Sequence, residues 1–229
     1  DLATGAPRSG PMFEAIFERQ STRSEYDGRK VPAGDLERVA RAASVEGCDL
    51  VLLTDPAAIA PVLDLAVEAN TAQIADPAFV DELRHWLRFN GAQAINSGDG
   101  LYSGCTGNPS LPPWLGQIMF GLFFTEKSEN EKLVRQIRSS AGLAVFVTGG
   151  NDPGHWVAAG RACQRFALQA TALGMRHAFV NQVVEVPAVR ERLAAHLGLG
   201  GRRPDLVMRF GYAPPMPRSL RRPVELAIA

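Results

Sequence analysis

The sequence predicts a layered α/β fold, with a mainly antiparallel sheet of about four short strands flanked by helices. Four apolar runs of strand length carry this prediction, and they lie at residues 50–53, 143–148, 178–184 and 206–211. Between these runs, apolar residues recur at helical spacing over longer stretches, so helix exceeds strand. Helices and strands that each bury one apolar face pack most simply as layers around a shared core.

The composition is that of an ordinary globular protein. The chain has 229 residues, of which 46% are hydrophobic and 21% are charged, and its formal net charge is zero. This length suffices for one large domain, and we expect residues 1–229 to form a single one. A balanced charge provides no long-range attraction to nucleic acid or to an anionic membrane, and the apolar runs are far shorter than a bilayer span. Neither partner is expected.

The residues that could carry metal or disulfide chemistry show no useful spacing. The three cysteines, Cys48, Cys105 and Cys163, are odd in number and far apart, so they form neither a disulfide framework nor a metal motif. The four histidines are equally scattered, and no metal site is predicted. The chain opens with Asp1, and no signal peptide is recognisable at its start, so a cytoplasmic location is the expectation.

Capping residues predict where several helices begin. Asp-Pro pairs at residues 55–56, 76–77 and 152–153 each predict a helix start, because Asp caps free N–H groups and Pro fits the first helical position. Pro61 is expected to kink the first of these helices or to postpone its start. Helical spacing predicts further helices at residues 12–20 and 33–44, two within 114–139, and one from Pro187 to near Gly198.

The helix predicted from Asp152 to Gly174 carries a stripe of mostly small side chains. Its members follow one another at steps of three and four residues: Trp156, Gly160, Cys163, Ala167, Ala170 and Gly174. Small side chains let another backbone or a flat ligand approach closely, and tight helix packing is the simpler of these two interpretations. We therefore expect the stripe to be buried.

Residues 90–113 are rich in Gly, Ser, Asn and Pro and show no periodicity. Loops of this length inside a compact domain are usually functional or mobile. With Tyr102 and Trp114 as aromatic covers, the segment could be a lid or an interface arm. An inert surface loop is an equal alternative.

Three stretches, in this order, resemble the nitroreductase family. The first is Arg19-Gln20-Ser21-Thr22-Arg23, with Tyr26 and the Val31-Pro32 helix entry after it. The second runs from residues 159–161 to residues 172–175, and the third is Arg209-Phe210-Gly211-Tyr212 with residues 217–223 behind it. Finer details resemble the Acg-like branch, namely Glu82-Leu83 with Trp86, residues 156–160, and Arg221-Arg222-Pro223. The resemblance covers nearly the whole chain from Met12 and implies a nitroreductase-like fold.

The resemblance also implies an FMN site, because the family's Arg-x-Ser-x-Arg/Lys segment follows its first helix and binds FMN. Arg19 and Arg221 would hold the phosphate, with Ser21 donating a hydroxyl nearby, and Gln20 would be a further FMN-binding residue. Arg23 would lie by the pyrimidine edge, where a fixed cation favours the reduced ring. Asn181 and Gln182 stand where the family's backbone approaches flavin N5 and O4.

Simpler interpretations exist for each of these residues. Without the resemblance, Arg19 and Arg23 are solvated residues at a helix end, where they are favoured by the helix dipole. Arg221 is then part of a basic tail, and Asn181 and Gln182 merely end a strand. A nucleic-acid contact would use the same cations, but no interleaved aromatic pattern supports it.

One family segment is absent. The family carries an Asn-x-Gln-Pro-Trp segment that lines the flavin ring, whereas this chain runs from Ala42-Ala43-Ser44 directly to Cys48. In the Acg-like branch that segment belongs to an N-terminal half, so the sequence resembles the later part of such a protein. We therefore expect a partner to complete the site, either a second copy in a homodimer or the missing N-terminal half.

The implied activity is that of an FMN-dependent oxidoreductase. NAD(P)H would be the electron donor, and a nitroaromatic, a quinone or a similar small molecule would be the acceptor. No catalytic side chain is predicted, because the electron chemistry belongs to the flavin. The alternative is a flavin-binding protein that stores or sequesters FMN, with the long loop excluding nicotinamide.

Overall fold

The structure is a computed structural model that describes residues 9–219 and residue 225. Its helices are α1 (Pro11–Glu18), α2 (Ala33–Ala42), α3 (Pro56–Ile74), α4 (Pro77–Trp86), α5 (Gly91–Ser97), α6 (Pro113–Phe123), α7 (Glu126–Arg138), α8 (Pro153–Ala172), α9 (Gln182–Glu185) and α10 (Pro187–His196). Its strands are β1 (Cys48–Leu53), β2 (Leu87–Arg88), β3 (Leu101–Tyr102), β4 (Gly142–Thr148), β5 (Arg176–Phe179) and β6 (Arg203–Gly211). A short 3-10 helix spans Ser103–Thr106.

Four strands form an antiparallel sheet in the order β1-β4-β6-β5. The predicted α/β class with a four-stranded antiparallel sheet is therefore confirmed. β4 lies inside the sheet and is buried along its whole length, because helices cover both of its faces. Within the described residues, no helix combines the length and the apolar character needed to cross a bilayer.

Alternate residues of the sheet face two separate helical layers. Leu143, Val145 and Val147 of β4 pack with α3, α7, α9 and α10 in one core cluster. Ala144 and Phe146 pack instead with α2 and α8 in the other cluster. Helix α1 lies on α8, outside this second layer.

The face of α8 that contacts the sheet is rotated from the predicted stripe. Cys163, Ala167 and Ala170 are buried as predicted, but Trp156 is 53% exposed and Gly160 is also exposed. The buried face includes Ala159, Ala162 and Phe166, so it is centred part of a turn away from the small-residue stripe. The prediction that the whole stripe is buried is wrong, because the face of α8 that carries the large side chain of Phe166 packs against the sheet.

The strand predicted at residues 178–184 is also wrong beyond Phe179. The Asn181 side chain accepts a hydrogen bond from Val207 N at 3.0 Å and so ends the pairing of β5 with β6. The following apolar residues form α9, in which Val183 and Val184 are buried. A short buried apolar run does not distinguish a strand from a helix.

Residues 90–113 are folded, contrary to the prediction of an irregular loop. The Asn90 side chain caps α5 by accepting from Gln93 N, and β2 pairs with β3 in parallel. The buried guanidinium of Arg88 binds Asp99 at 2.6 Å and the His85 carbonyl at 2.7 Å. These elements are too short to produce a periodic pattern, which is why the sequence showed none.

The prediction that Pro61 postpones the start of the first Asp-Pro helix is wrong. Helix α3 begins at Pro56 and continues through Pro61.

Candidate functional site

The segment after α1 lies along β5 at the edge of the sheet. Ser21 forms a parallel bridge with His177, and Thr22 N donates to the His177 carbonyl at 2.9 Å. Thr22 is fully buried, whereas Ser21 is half-buried. Three of the predicted FMN contacts, Arg19, Ser21 and Arg23, therefore belong to one short segment beside β5.

Arg209 of β6 holds the backbone of this segment from beneath. It is 1% exposed, and its Nη2 donates to the carbonyls of Thr22 at 3.2 Å and Ser24 at 2.8 Å. Its guanidinium lies 4.1 Å from the centre of the Tyr26 ring. Burial is the largest influence on both groups, lowering the pKa of Arg209 and raising the pKa of Tyr26 to about 12. Gln136 of α7 adds a further bond, from its Nε2 to the Arg23 carbonyl.

The side chains of Arg19 and Arg23 are half-buried and have no anionic partner in the chain as described. Neither forms an ion pair or a side-chain hydrogen bond with a residue in the described part. Burial lowers the pKa of Arg23, because its cation has lost part of its contact with water. Two arginines without an ion pair among the described residues, four positions apart on one segment, are suited to binding an anion.

Several buried polar atoms near the Ser21–His177 bridge also lack partners among the described residues. These are both ring nitrogens of His177, Gln20 Oε1 and Thr22 Oγ1. Burial, followed by the charges of Arg19 and Arg176, lowers the pKa of His177 to about 4, so its ring is neutral at pH 7. Unpaired buried atoms are uncommon and indicate a bound water or ligand.

The C-terminal segment returns to the end of α1. Gln20 Nε2 donates to the Met216 carbonyl at 3.0 Å. Arg218 donates to the Phe17 carbonyl at 2.9 Å and forms an ion pair with Glu18. Arg221 lies outside the described residues, so the position predicted for it is not described. The two basic segments, roughly two hundred residues apart, are nevertheless neighbours at Arg218.

Asn181 and Gln182 follow the end of β5, close in sequence to His177. The Asn181 side chain is already occupied by Val207 N, which fits its simpler interpretation as the end of a strand. Gln182 begins α9 and is half-buried. Within the described residues, no hydrogen bond joins either side chain to the segment from Arg19 to Arg23.

A cavity of about 480 Å³ adjoins Arg23, and we call it the Arg23 cavity. It lies between α6, α7 and residues 103–111, so part of the predicted lid segment does border the arginine segment. Cys105 lies in this segment, and burial raises its pKa, which keeps the thiol neutral. The geometry therefore gives no support for a reactive thiolate there.

Sequence reasoning missed the residues that support the arginine segment. Arg209 belongs to a family-like stretch, but a single cation inside the apolar run of residues 206–210 could also have indicated a buried charge. Nothing in the sequence around Gln136 or His177 indicates their roles. Their partners, the Arg23 carbonyl and Ser21, are distant along the chain.

Large apolar side chains are exposed in more than one place, and one such group lies on α6, namely Trp114, Ile118, Leu122 and Phe123. A second surface is formed by Phe13, Ile16 and Phe17 of α1 and by Trp156 and Val157 of α8, each about half exposed or more. We call this surface the α1/α8 face.

Solved structures place this architecture among known folds. A nitroreductase with bound FMN from Desulfitobacterium hafniense superposes with a TM-score of 0.57 and 14% identity, over 97% of this chain and 98% of that one. The fold is nitroreductase-like. An FMN-bound nitroreductase from Bacteroides fragilis gives a TM-score of 0.56 at 14% identity, covering 93% of this chain and 96% of that one. An FMN-dependent nitroreductase of Mycobacterium smegmatis in complex with NADPH gives 0.53 at 14% identity, covering 89% and 87%.

Sequence relatives agree with this nitroreductase-like fold. Two Mycobacterium tuberculosis proteins, from strains CDC 1551 and H37Rv, carry the provisional name NAD(P)H nitroreductase. Each is 25% identical to this chain over 216 residues, which is 92% of the chain and 59% of the relative. The chain thus spans about three fifths of the length of these relatives. No protein-family model matches it.

Proposed function

We propose that this chain binds FMN and serves an oxidoreductase that takes electrons from NAD(P)H. The acceptor would be a nitroaromatic, a quinone or a similar small molecule. The names of the M. tuberculosis relatives and the FMN-bound structures of the same fold support this proposal. The NADPH complex of the M. smegmatis protein supports the choice of donor.

The meeting of two basic segments at the end of α1 is the observation that carries the proposal. Local structure does not require the C-terminal segment to contact Gln20 and Glu18, yet it does. FMN has a phosphate, and arginine forks bind phosphate through charge-assisted, bidentate hydrogen bonds. Arg19, whose side chain has no partner among the described residues, and the hydroxyl of Ser21 would hold that phosphate. Arg221, which lies outside the described residues, is proposed to join them.

The remaining residues would receive the ring. When bound, FMN supplies hydride and single-electron transfer. Arg23 provides a fixed cation, which favours the more negative, reduced form of a ring beside it. Gln20 keeps its buried Oε1 free of partners within the described residues. Because the Asn181 side chain is occupied, residues 181 and 182 would contribute backbone groups.

A partner would complete the site at the α1/α8 face. The expected partner is a second copy in a homodimer, or the N-terminal half that an Acg-like protein would carry. The exposed aromatic residues Phe17 and Trp156 support such an association, because isolated proteins rarely leave such surface open. A cytoplasmic location remains a prediction.

An anaerobic titration tests the proposal. Purified protein is loaded with FMN, NADPH or NADH is added, and the visible absorbance of the flavin is followed. Bleaching, followed by recovery when a quinone is added, is the expected result. Stable FMN binding without bleaching would favour the storage alternative, whereas failure to bind FMN, alone or with the partner half, would contradict both.

A further inference from the structure

The Arg23 cavity has an aromatic wall suited to a flat ligand. Phe89, Phe120 and Phe124 line it, and the rings of Phe120 and Phe124 stack with their centroids 4.5 Å apart at an interplanar angle of 13°. Its volume of about 480 Å³ lies within the range of small-molecule sites. Aromatic and other apolar side chains in such sites bury the apolar surface of a ligand.

The positive and negative charges of the side chains that line the cavity do not balance. Three cations and two carboxylates line it, namely Arg23, Lys132, Arg135, Glu25 and Glu129. Arg135 pairs with Glu25 at 3.1 Å, and Lys132 lies 3.9 Å from Glu129. Arg23 remains as the cation without an ion pair among the described residues. Among the described residues, the lining therefore has one positive charge without an ion pair, that of Arg23.

The Arg23 backbone is fixed before any ligand arrives. Gln136 binds its carbonyl, while Arg209 binds the carbonyls of the residues on either side, Thr22 and Ser24. The backbone at Arg23 therefore needs no rearrangement when a ligand binds, which reduces the conformational cost of binding. The planar guanidinium of Arg23 matches a carboxylate through two parallel hydrogen bonds.

We propose that the Arg23 cavity binds a planar aromatic carboxylate, with the ring against the phenylalanines and the carboxylate on Arg23. This site is additional to the FMN site. A guanidinium carries five N–H donors along its edges, so Arg23 can serve two ligands at once. The ligand binds whether or not FMN is present.

Calorimetric titration of the purified chain with 2-naphthoate and with its neutral analogue 2-naphthamide tests the site. One naphthoate binds per chain, about tenfold or more tightly than naphthamide, because only the carboxylate gains charge-assisted bonds. The variant Arg23→Gln loses this preference and keeps its naphthamide affinity. The control Arg29→Gln removes an exposed arginine of the same segment that lies outside the cavity, and it leaves both affinities unchanged.

Equal affinity for the two probes, or a preference that survives in Arg23→Gln, overturns the proposal. The comparison of probes on the unaltered chain does not depend on any variant folding. A second titration uses saturating FMN, and mutual exclusion of FMN and naphthoate would show that the cavity is no separate site. A chain that binds FMN but not naphthoate refutes this site and leaves the proposed function standing. A chain that binds naphthoate but not FMN supports this site and contradicts the proposed function.

Discussion

The guanidinium of Arg209 lies 4.1 Å from the centre of the Tyr26 ring, and both side chains are buried. Tyr26 in turn donates its hydroxyl to the Thr22 carbonyl at 3.1 Å. One buried cation thus joins β6 to the segment that carries Arg19 and Arg23. The candidate site depends on this contact for its shape.

Replacing Arg209 with Met should therefore destabilise the fold. The Ser24 carbonyl would lose its Arg209 donor and the Thr22 carbonyl would keep only the Tyr26 hydroxyl, at a cost of roughly 3 kcal/mol in the free energy of unfolding. Urea denaturation measures this loss. The control Arg29→Met removes an exposed arginine that stacks on Tyr212, and it should cost about 1 kcal/mol or less. Similar losses in the two variants would show that Arg209 is no structural anchor.

The stability of the protein should decrease in acid because of His177. Its pKa is about 4 in the folded protein and 6.5 in its ordinary state, so between these values the unfolded chain binds more protons. The free energy of unfolding therefore falls as the pH drops through this window, by about 3 kcal/mol in total.

Urea denaturation at several pH values between 4 and 7 measures this slope. His177→Phe should flatten it, because the titrating ring is removed from the core. His196→Gln alters an exposed histidine at the end of α10 and should leave the slope unchanged. An unaltered slope in His177→Phe would assign the acid sensitivity to other groups.

Loss of a single arginine should weaken FMN binding without unfolding the protein. Each charged hydrogen bond contributes roughly 1.5–3 kcal/mol, so Arg19→Ala or Arg221→Ala should reduce FMN affinity by about tenfold to a hundredfold. Arg23→Ala should also lower the reduction potential of the flavin, since it removes the cation near the reduced ring. Fluorescence titration and spectroelectrochemistry provide these values, with Arg29→Ala as the control. Unchanged affinity in Arg19→Ala would contradict the assignment.

A charge on the α1/α8 face should disrupt association. Phe17→Glu places a carboxylate on a side chain that is 67% exposed in the free chain, and it should shift the protein towards monomer, or weaken its binding to an N-terminal half. Sedimentation velocity follows the change. Leu122→Glu, which is 65% exposed on α6, is the matched control and should leave assembly intact. If Leu122→Glu disrupted assembly and Phe17→Glu did not, the interface would lie on α6.

Short sequence patterns correctly predicted the helices and strands that are determined by interactions between residues close together in the chain. The Asp-Pro pairs correctly indicated α3, α4 and α8, because the capping carboxylates of Asp55, Asp76 and Asp152 bind N–H groups two or three residues away. β4 was equally clear, since a strand buried on both faces is apolar throughout.

Features decided by distant partners were not predictable. β5 ends where Asn181 meets Val207, which lies 26 residues further along the chain. Arg209 binds the Thr22 carbonyl, although the two residues are 187 positions apart in the sequence, and no short sequence pattern predicts such a contact. The assignment of Arg19 and Arg23 to one site came from family resemblance and stays a prediction, while the structure adds the bridge that fixes Ser21, between them, beside His177.

The exposed Gly160 has a further consequence for α8. A glycine inside a helix costs roughly 0.5–1 kcal/mol relative to alanine, and a methyl group added here would meet no described residue outside the adjacent turns of α8 within 4 Å. In the isolated chain, Gly160→Ala should therefore raise the free energy of unfolding. The helix instead presents bare backbone between Trp156 and Gln164, a shallow notch that a side chain or helix of another molecule can enter. If the assembled protein is less stable with alanine while the free chain is more stable, the notch is occupied by the partner.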